Sequence, residues 1–265
     1  MTGSERDNSS AATKCHFPPG GVLVIGGTGA IGRAVVEGFL TAGCDAAFTF
    51  RHDSAQIDEV SAIARAKSCR VAPIRYDLNE RGGGDDLLLA ARKELGQIHS
   101  VIYAAGPDFQ PEYVSQTKAT GFANTLKTEV DGFFELSKAA IPHLRAQGGS
   151  ITAVTTTATA RYVAKDVLST APKAAIEAVI KAIAFEEGRY GIRANAVAPG
   201  WIDAGIGARI VRQEHYGRHE TLAGRIPLRR FGTVAEVASA ILFLSSQTAA
   251  YVTGQVLAVD GGWRI

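Results

Sequence analysis

The chain has 265 residues, 46% of them hydrophobic and 20% charged, and its 28 Lys and Arg against 26 Asp and Glu leave a net charge of +2. That balance argues against a nucleic-acid or membrane-surface partner, which calls for a clustered basic excess, and no apolar run approaches the ~18 residues of a membrane span. The three cysteines, Cys15, Cys44 and Cys69, are odd in number and lack metal-ligand spacing. They suit a reducing compartment, so a cytoplasmic protein with no metal in its site is expected.

In chain order, Met1 to Pro19 reads as a polar tail, and residues 20–265 show no composition break and read as a single domain. Continuous apolar runs recur at Val22–Ile25, Ala46–Phe50, Val71–Tyr76, Val101–Ala104, Ile151–Val154, Ala194–Ala198 and Val256–Val259. Runs of this kind are typical of strands buried on both faces of a parallel sheet. Helical patterns separate them at Ile31–Ala42, Gln56–Lys67, Asp85–Leu95, Gly121–Leu144, Pro172–Glu187 and Thr233–Leu244. The alternation predicts an α/β fold, a Rossmann-like, doubly wound and mostly parallel sheet of about seven strands with helices on both faces. Pro172 is expected in the first turn of its helix, where a missing N–H costs nothing. Ala175, Ile176, Val179, Ile180, Ile183 and Ala184 form its apolar stripe, with Lys173, Glu177 and Lys181 off it. Arg81 to Asp85 reads as a flexible surface loop, and the long segment Asp203 to Leu228 as a substrate lid or a solvated helical excursion.

The 29 glycines exceed the average share of about 7%. Gly26, Gly29 and Gly32 lie between the first strand and the first helix. In that context Gly26 makes the tight turn, Gly29 admits a pyrophosphate close to the backbone, and Gly32 lets helix and sheet pack. Thr28 and Ile31 belong to the same loop. The end of the second strand normally reads the adenosine ribose, through an acid for NAD or an arginine for NADP. Here it runs Phe50, Arg51, His52, Asp53. Arg51 brings a planar, permanent charge suited to a 2′-phosphate, so NADP(H) is favoured over NAD(H), with Asp53 as the counter-argument.

At this point the residues resemble the short-chain dehydrogenase/reductase family, in its compact branch, from about Gly21 to Trp263. The ordered motifs are the Gly26–Gly32 loop, Asp77-Leu78, Tyr103-Ala-Ala-Gly106, Lys173 on its helix, Gly191-Ile-Arg-Ala-Asn195-Ala-Val-Ala-Pro199-Gly200, and Gly254 to Gly262. The resemblance implies that Asp77 and Leu78 border the adenine and that Ala104, Ala105 and Gly106 line the cofactor. It further implies that Pro199, Gly200 and Ile202 approach the nicotinamide, that Lys173 bridges its ribose, and that the protein is a homo-oligomer, tetramer or dimer.

The catalytic half departs from the family pattern of Asn, Ser, Tyr and Lys. Lys173 is kept, Ser169 stands where the family has Tyr, the usual Ser falls on Thr156, and the Asn slot falls near Glu129. Thr156, Ser169 and Lys173 are the candidate catalytic residues. A serine hydroxyl is a far weaker acid than a lysine-assisted phenol, and losing a positioned acid costs about 10²–10⁴-fold. Tyr162 is a substitute donor if it reaches the pocket. Alternatively the substrate is an activated C=C, such as an enoyl or dienoyl thioester, whose enolate needs hydrogen bonds more than a strong acid. Dienoyl-CoA reductases of the family share Ser in this slot, although their Asn corresponds here to Asp131 and their Tyr to Ala158. The expected function is thus an NADP(H)-dependent oxidoreductase acting on a small-molecule carbonyl or activated alkene, or else a cofactor-binding subunit without catalysis.

Overall fold

The computed structural model of the chain describes residues 16–79, 83–106, 109–205, 208–209 and 219–265. Seven strands form one sheet: β1 (Gly21–Ile25), β2 (Ala46–Phe50), β3 (Val71–Arg75), β4 (Ile98–Tyr103), β5 (Gly149–Val154), β6 (Ile192–Pro199) and β7 (Val256–Val259). Their order is β3-β2-β1-β4-β5-β6-β7, and every pairing is parallel. The chain direction of the winding reverses between β1 and β4, which opens a crevice at the carboxyl ends of the strands.

Side chains alternate between the two faces of each strand, so β1 feeds two separate cores. Leu23 and Ile25 pack under α3 (Gly84–Leu95), α5 (Gly132–Leu144) and α6 (Val167–Glu187). Val22 and Val24 pack under α1 (Ala30–Thr41), α2 (Ala55–Ala66) and the last helix, Val234–Ser245. Burial on both faces accounts for the unbroken apolar runs in the sequence. Two further helices, α4 (Ala119–Leu126) and α7 (His219–Ala223), complete the described set, so the last helix is α8. A reciprocal capping box starts α8: Thr233 accepts from the Glu236 N–H while the Glu236 carboxylate accepts from the Thr233 N–H. Arg230 and that cap hold the Glu236 carboxyl down at about 2.

Three helical expectations are revised. The single helix Gly121–Leu144 is instead α4 and α5 joined by a π-helical turn, Lys127–Asp131, which turns Glu129 inward. Such one-turn bulges often occur at functional sites. Helix α6 begins at Val167, so Pro172 is inside it rather than in its first turn. The cause is the Asp166 carbonyl, which accepts from the N–H groups of Ser169 and Thr170 and so starts the helix a turn and a half earlier. Lys173 consequently lies in the second turn, and it is buried with the core side of the helix. Much of the region expected as a lid, residues 206–207 and 210–218, and the loop residues Arg81 and Gly82 lie outside the described residues. Of the expected tail, Phe17 packs against Phe39, with ring centroids 4.9 Å apart.

The first β–α turn sets the tightest packing constraint. A Cβ on Gly32 would collide with the carbonyl oxygen of Gly26, whereas one on Gly121 in α4 would meet nothing within 4 Å. Gly32→Ala is therefore expected to destabilise the protein, and Gly121→Ala to stabilise it by up to about 1 kcal/mol through helix propensity. Urea denaturation midpoints of the two variants should move in opposite directions.

Candidate active site

The cleft at the carboxyl edge of the sheet encloses about 880 Å³. One wall of it is the glycine turn. Gly26 takes a positive φ of 82° and donates its N–H to Thr49 Oγ1 at 2.8 Å, and Gly29 closes the turn by donating to the Gly26 carbonyl at 3.0 Å. A side chain on Gly26 would press on the backbone of Ala105, 3.0 Å away, so this turn and the β4 exit approach as bare backbone.

The structure brings most of the sequence-selected residues into this one cleft. Gly26, Thr28, Gly29, Ile31, Arg51, Asp77, Leu78, Ala104, Ala105 and Gly106 line it, together with Thr156, Ser169, Lys173, Pro199, Gly200 and Ile202. Gly32 and His52 do not. Gly32 is packed beneath the turn, and exposed His52 accepts a hydrogen bond through Nε2 from Arg51 Nε at 3.0 Å. At the Arg51 end of the cleft the Asn79 backbone N–H donates to Asp77 and holds its carboxyl below the usual range, with smaller contributions from Arg51 and His52.

At the reaction side the floor is an ion pair. Lys173 Nζ lies 2.7 Å from Glu129 Oε2 and 3.0 Å from the Ala105 carbonyl oxygen, and 5.4 Å from the centre of the Tyr103 ring. Both charged side chains are buried, at 5% and 1% exposure, so Lys173 is not a solvated helix lysine. The π turn delivers Glu129 to this place, while Asp131 on the same turn is exposed and outside the cleft lining. Tyr103 is no proton donor to the cleft: it lies outside the lining and donates its hydroxyl to the Glu129 carbonyl at 3.3 Å. Burial, and then Glu129, pushes its phenol well above the ordinary value. Tyr162 is 54% exposed and likewise outside the lining.

The hydroxyls differ in what they offer. Ser169 is half-buried in the cleft wall. Thr156 Oγ1 accepts from the Ala158 N–H at 3.2 Å, which leaves its own hydrogen to donate. Thr157 is engaged with the Pro199 carbonyl at 3.2 Å and ties the ends of β5 and β6 together. Thr155 Oγ1 is buried in the lining without a hydrogen-bond partner among the described residues. Sequence reasoning passed over Glu129 as a site residue, and also Asp166, Phe109 and Trp263, which line the cleft. Asp166 precedes Ser169 by three residues, one helical turn, which is the signal that could have drawn it in. Trp263 comes from beyond the last strand. It meets Trp201 edge-on at 5.9 Å and is covered by the Arg161 guanidinium at 4.5 Å. No local pattern announces that. Among the described residues no group of three or more His, Cys, Asp or Glu could hold a metal ion, and no helix is long and apolar enough to cross a membrane.

Seven parallel strands, a glycine turn at the crevice and a lysine-bearing helix on its wall define a dinucleotide-binding oxidoreductase fold. A family model described as "Enoyl-(Acyl carrier protein) reductase" matches residues 26–264. The chain belongs to the short-chain dehydrogenase/reductase family, whose members bind a nicotinamide cofactor, NAD or NADP. It is 31% identical over 248 residues to a peroxisomal 2,4-dienoyl-CoA reductase of Saccharomyces cerevisiae, covering 92% of this chain and 84% of that protein. It is 30% identical over 246 residues to an L-fucose dehydrogenase of Rattus norvegicus, covering 91% of this chain and 88% of that one. A short-chain type dehydrogenase/reductase from Mycobacterium ulcerans superposes with a TM-score of 0.86 at 26% identity, over 94% of this chain and 91% of its own.

The buried pair makes a sharp energetic prediction. Lys173→Met leaves the Glu129 carboxylate uncompensated and should cost about 3–5 kcal/mol, whereas combining it with Glu129→Leu should recover most of that loss. A double-mutant cycle measured by urea denaturation checks this through its large favourable coupling.

Proposed function

We propose that the protein is an NADP(H)-dependent oxidoreductase whose substrate is a carbonyl or an activated C=C, such as an enoyl or dienoyl thioester. The observation that carries this reading is the convergence, in one cleft, of the glycine turn, Arg51 and the Thr156–Ser169–Lys173 group. The residues present suit a dinucleotide. The turn is a cradle that a Cβ on Gly26 or Gly32 would obstruct, and Thr155 Oγ1 is a buried hydroxyl in the lining with no partner among the described residues.

In this reading the Gly26–Ile31 turn holds the pyrophosphate and Arg51 the 2′-phosphate, with Asp77 and Leu78 bordering the adenine. Ala104 to Gly106 line the cofactor, Lys173 serves the ribose, and Pro199, Gly200 and Ile202 border the nicotinamide. A bound reduced nicotinamide supplies a hydride. This chain's own part is to exclude water, through Phe109, Trp201 and Trp263, and to steady the substrate oxygen with the hydroxyls of Ser169 and Thr156. Hydrogen bonds of that kind suit an enolate oxygen, and the likeness to the yeast 2,4-dienoyl-CoA reductase supports the alkene branch. Two features favour the carbonyl branch less: Ser169 is a poor acid, and the Lys173 charge that would activate a phenol is paired with Glu129. The same reading includes a cytoplasmic homo-oligomer, tetramer or dimer. Phe134 on α5 and Phe185 on α6, 54% and 91% exposed, offer apolar surface for it.

Fluorescence titration with NADPH and NADH tests the cofactor choice. NADPH should bind more tightly, and Arg51→Ala should weaken it by about tenfold to a hundredfold, as loss of a charged hydrogen bond does, while leaving NADH nearly unchanged. Equal or tighter NADH binding by the wild type would overturn the assignment to Arg51. Steady-state NADPH oxidation against ketones, quinones and enoyl or dienoyl thioesters tests the reaction: turnover on the thioesters is expected. Tight NADPH binding with no turnover on any of them would favour the non-catalytic subunit.

A further inference from the structure

We propose that Asp166 is the proton donor of this cleft, delivering its carboxyl proton to the substrate oxygen in place of the tyrosine that is absent at position 169. The inference rests on the oxidoreductase reading above and supplies the group that completes its proton balance.

The first ground is placement. Asp166 is the residue before α6, three before Ser169 and seven before Lys173. At 3.6 residues per turn those three positions share one face of the helix, and all three line the cleft. Side chains on a helix lean toward its N-terminus, so the short Ser169 leans toward the turn that Asp166 begins. A group approaching Ser169 from the cleft therefore also approaches Asp166.

The second ground is what Asp166 lacks. Its Oδ2 accepts one hydrogen bond, from Thr170 Oγ1 at 2.7 Å, and its Oδ1 accepts none from the described residues. Among the described residues no salt bridge is made to it: the adjacent Lys165 sets its Nζ over the Tyr113 ring at 4.7 Å, and Lys173 is bound to Glu129. The other charged groups of the lining are Glu129, Arg209, Asp77 and Arg51, and the apolar lining includes Phe109, Val163 and Trp263. Burial pushes the Asp166 carboxyl up to about 6, the Thr170 hydroxyl opposes this in part, and none of those charged groups contributes. A carboxyl that titrates near 6 lies within about a unit of neutrality, which suits general-acid work.

The remaining candidates for the role are otherwise engaged. Tyr103 is buried outside the cleft, Tyr162 is exposed, and the Glu129 carboxylate is committed to Lys173. The step balances as follows. A hydride from a reduced nicotinamide forms the new C–H bond, and the π pair of the carbonyl, or of the conjugated alkene through its carbonyl, moves onto oxygen. The Asp166 O–H bond breaks as that oxygen takes the proton. The carboxylate left behind is reprotonated by water, and an enol formed in the alkene case tautomerises.

The test combines a titration with kinetics on the full chain. In wild-type protein, carboxyl signals followed by ¹³C NMR should include one with a midpoint near 6 that disappears in Asp166→Asn. The turnover of the best substrate from the panel above should fall about tenfold per pH unit above that midpoint. Asp166→Asn should lower kcat by about a hundredfold or more, remove the pH limb and leave NADPH affinity unchanged, and Asp166→Glu should restore part of the rate. Thr170→Val removes the hydrogen bond that favours the carboxylate, so it should move the NMR midpoint and the kinetic limb upward together, a shift that a structural role would not produce. Wild-type turnover with Asp166→Asn retaining its rate, or a carboxyl midpoint at the ordinary Asp value, overturns the donor role alone. A wild-type protein that binds NADPH and turns over nothing overturns the oxidoreductase reading, and the donor role with it.

Discussion

The contact on which the reaction side of the cleft depends is the buried pair between Lys173 and Glu129. Moving a carboxylate and an ammonium out of water costs several kcal/mol for each, and their attraction offsets that cost only when further partners complete the shells. Here the Ala105 carbonyl is a second acceptor for Lys173, and the Tyr103 ring lies within cation–π range. The pair joins α6 to the π turn between α4 and α5, across the end of β4. A regular helix through residues 127–131 would place Glu129 at a different angle, so the extra residue of the π turn and the charge on Lys173 belong to one arrangement. Neither makes physical sense without the other.

That arrangement also constrains chemistry. In the family pattern a lysine lowers the pKa of a neighbouring tyrosine. In this chain Lys173 is paired with an adjacent carboxylate, and a serine, Ser169, stands one turn before it on α6. Tyr103, the phenol nearest the lysine, faces the core and shares the same Glu129, which raises its pKa further. The Glu129 carboxylate beside Lys173 thus works against the effect a lysine has on a neighbouring phenol.

The fold was largely legible in the sequence because its determinants are local. Strands buried on both faces must be apolar at every position, and the expected runs match the observed strands to within a residue or a few at each end. Val101–Ala104 was read short because His99 and Ser100 broke the apolar run. These two bond to each other and onward to Ser150, so β4 carries polar residues in its core and still starts at Ile98. The glycine turn was legible because a steric requirement leaves no alternative residue. What escaped depends on long-range geometry. The start of α6 is set by the carbonyl of Asp166 rather than by Pro172, and the inward turn of Glu129 by a π bulge that has no compositional mark. Trp263 reaches the cleft from the far end of the chain because its ring is held between Trp201 and Arg161. Lys173 was selected as a site residue through the family resemblance, but it falls off the apolar stripe, so periodicity alone does not announce its burial. Its burial is paid for by a residue 44 positions away.

Among the described residues three carboxyl groups line the cleft, and their surroundings give each a different character. Asp77 is stabilised as an anion by the Asn79 backbone N–H, at the exposed end where an adenosine is expected. Glu129 is held as the counter-ion of a buried ammonium. Asp166 has burial without a cation, and its charge is disfavoured. The chemical type is nearly the same in all three, so the division follows from what the fold places beside each: an N–H, an ammonium, or a single hydroxyl. Environments that push like groups apart in proton affinity are how one cleft can hold a fixed charge and a movable proton at once. The wall that carries Ser169 thus also carries, one helical turn away, a carboxyl whose charge burial disfavours.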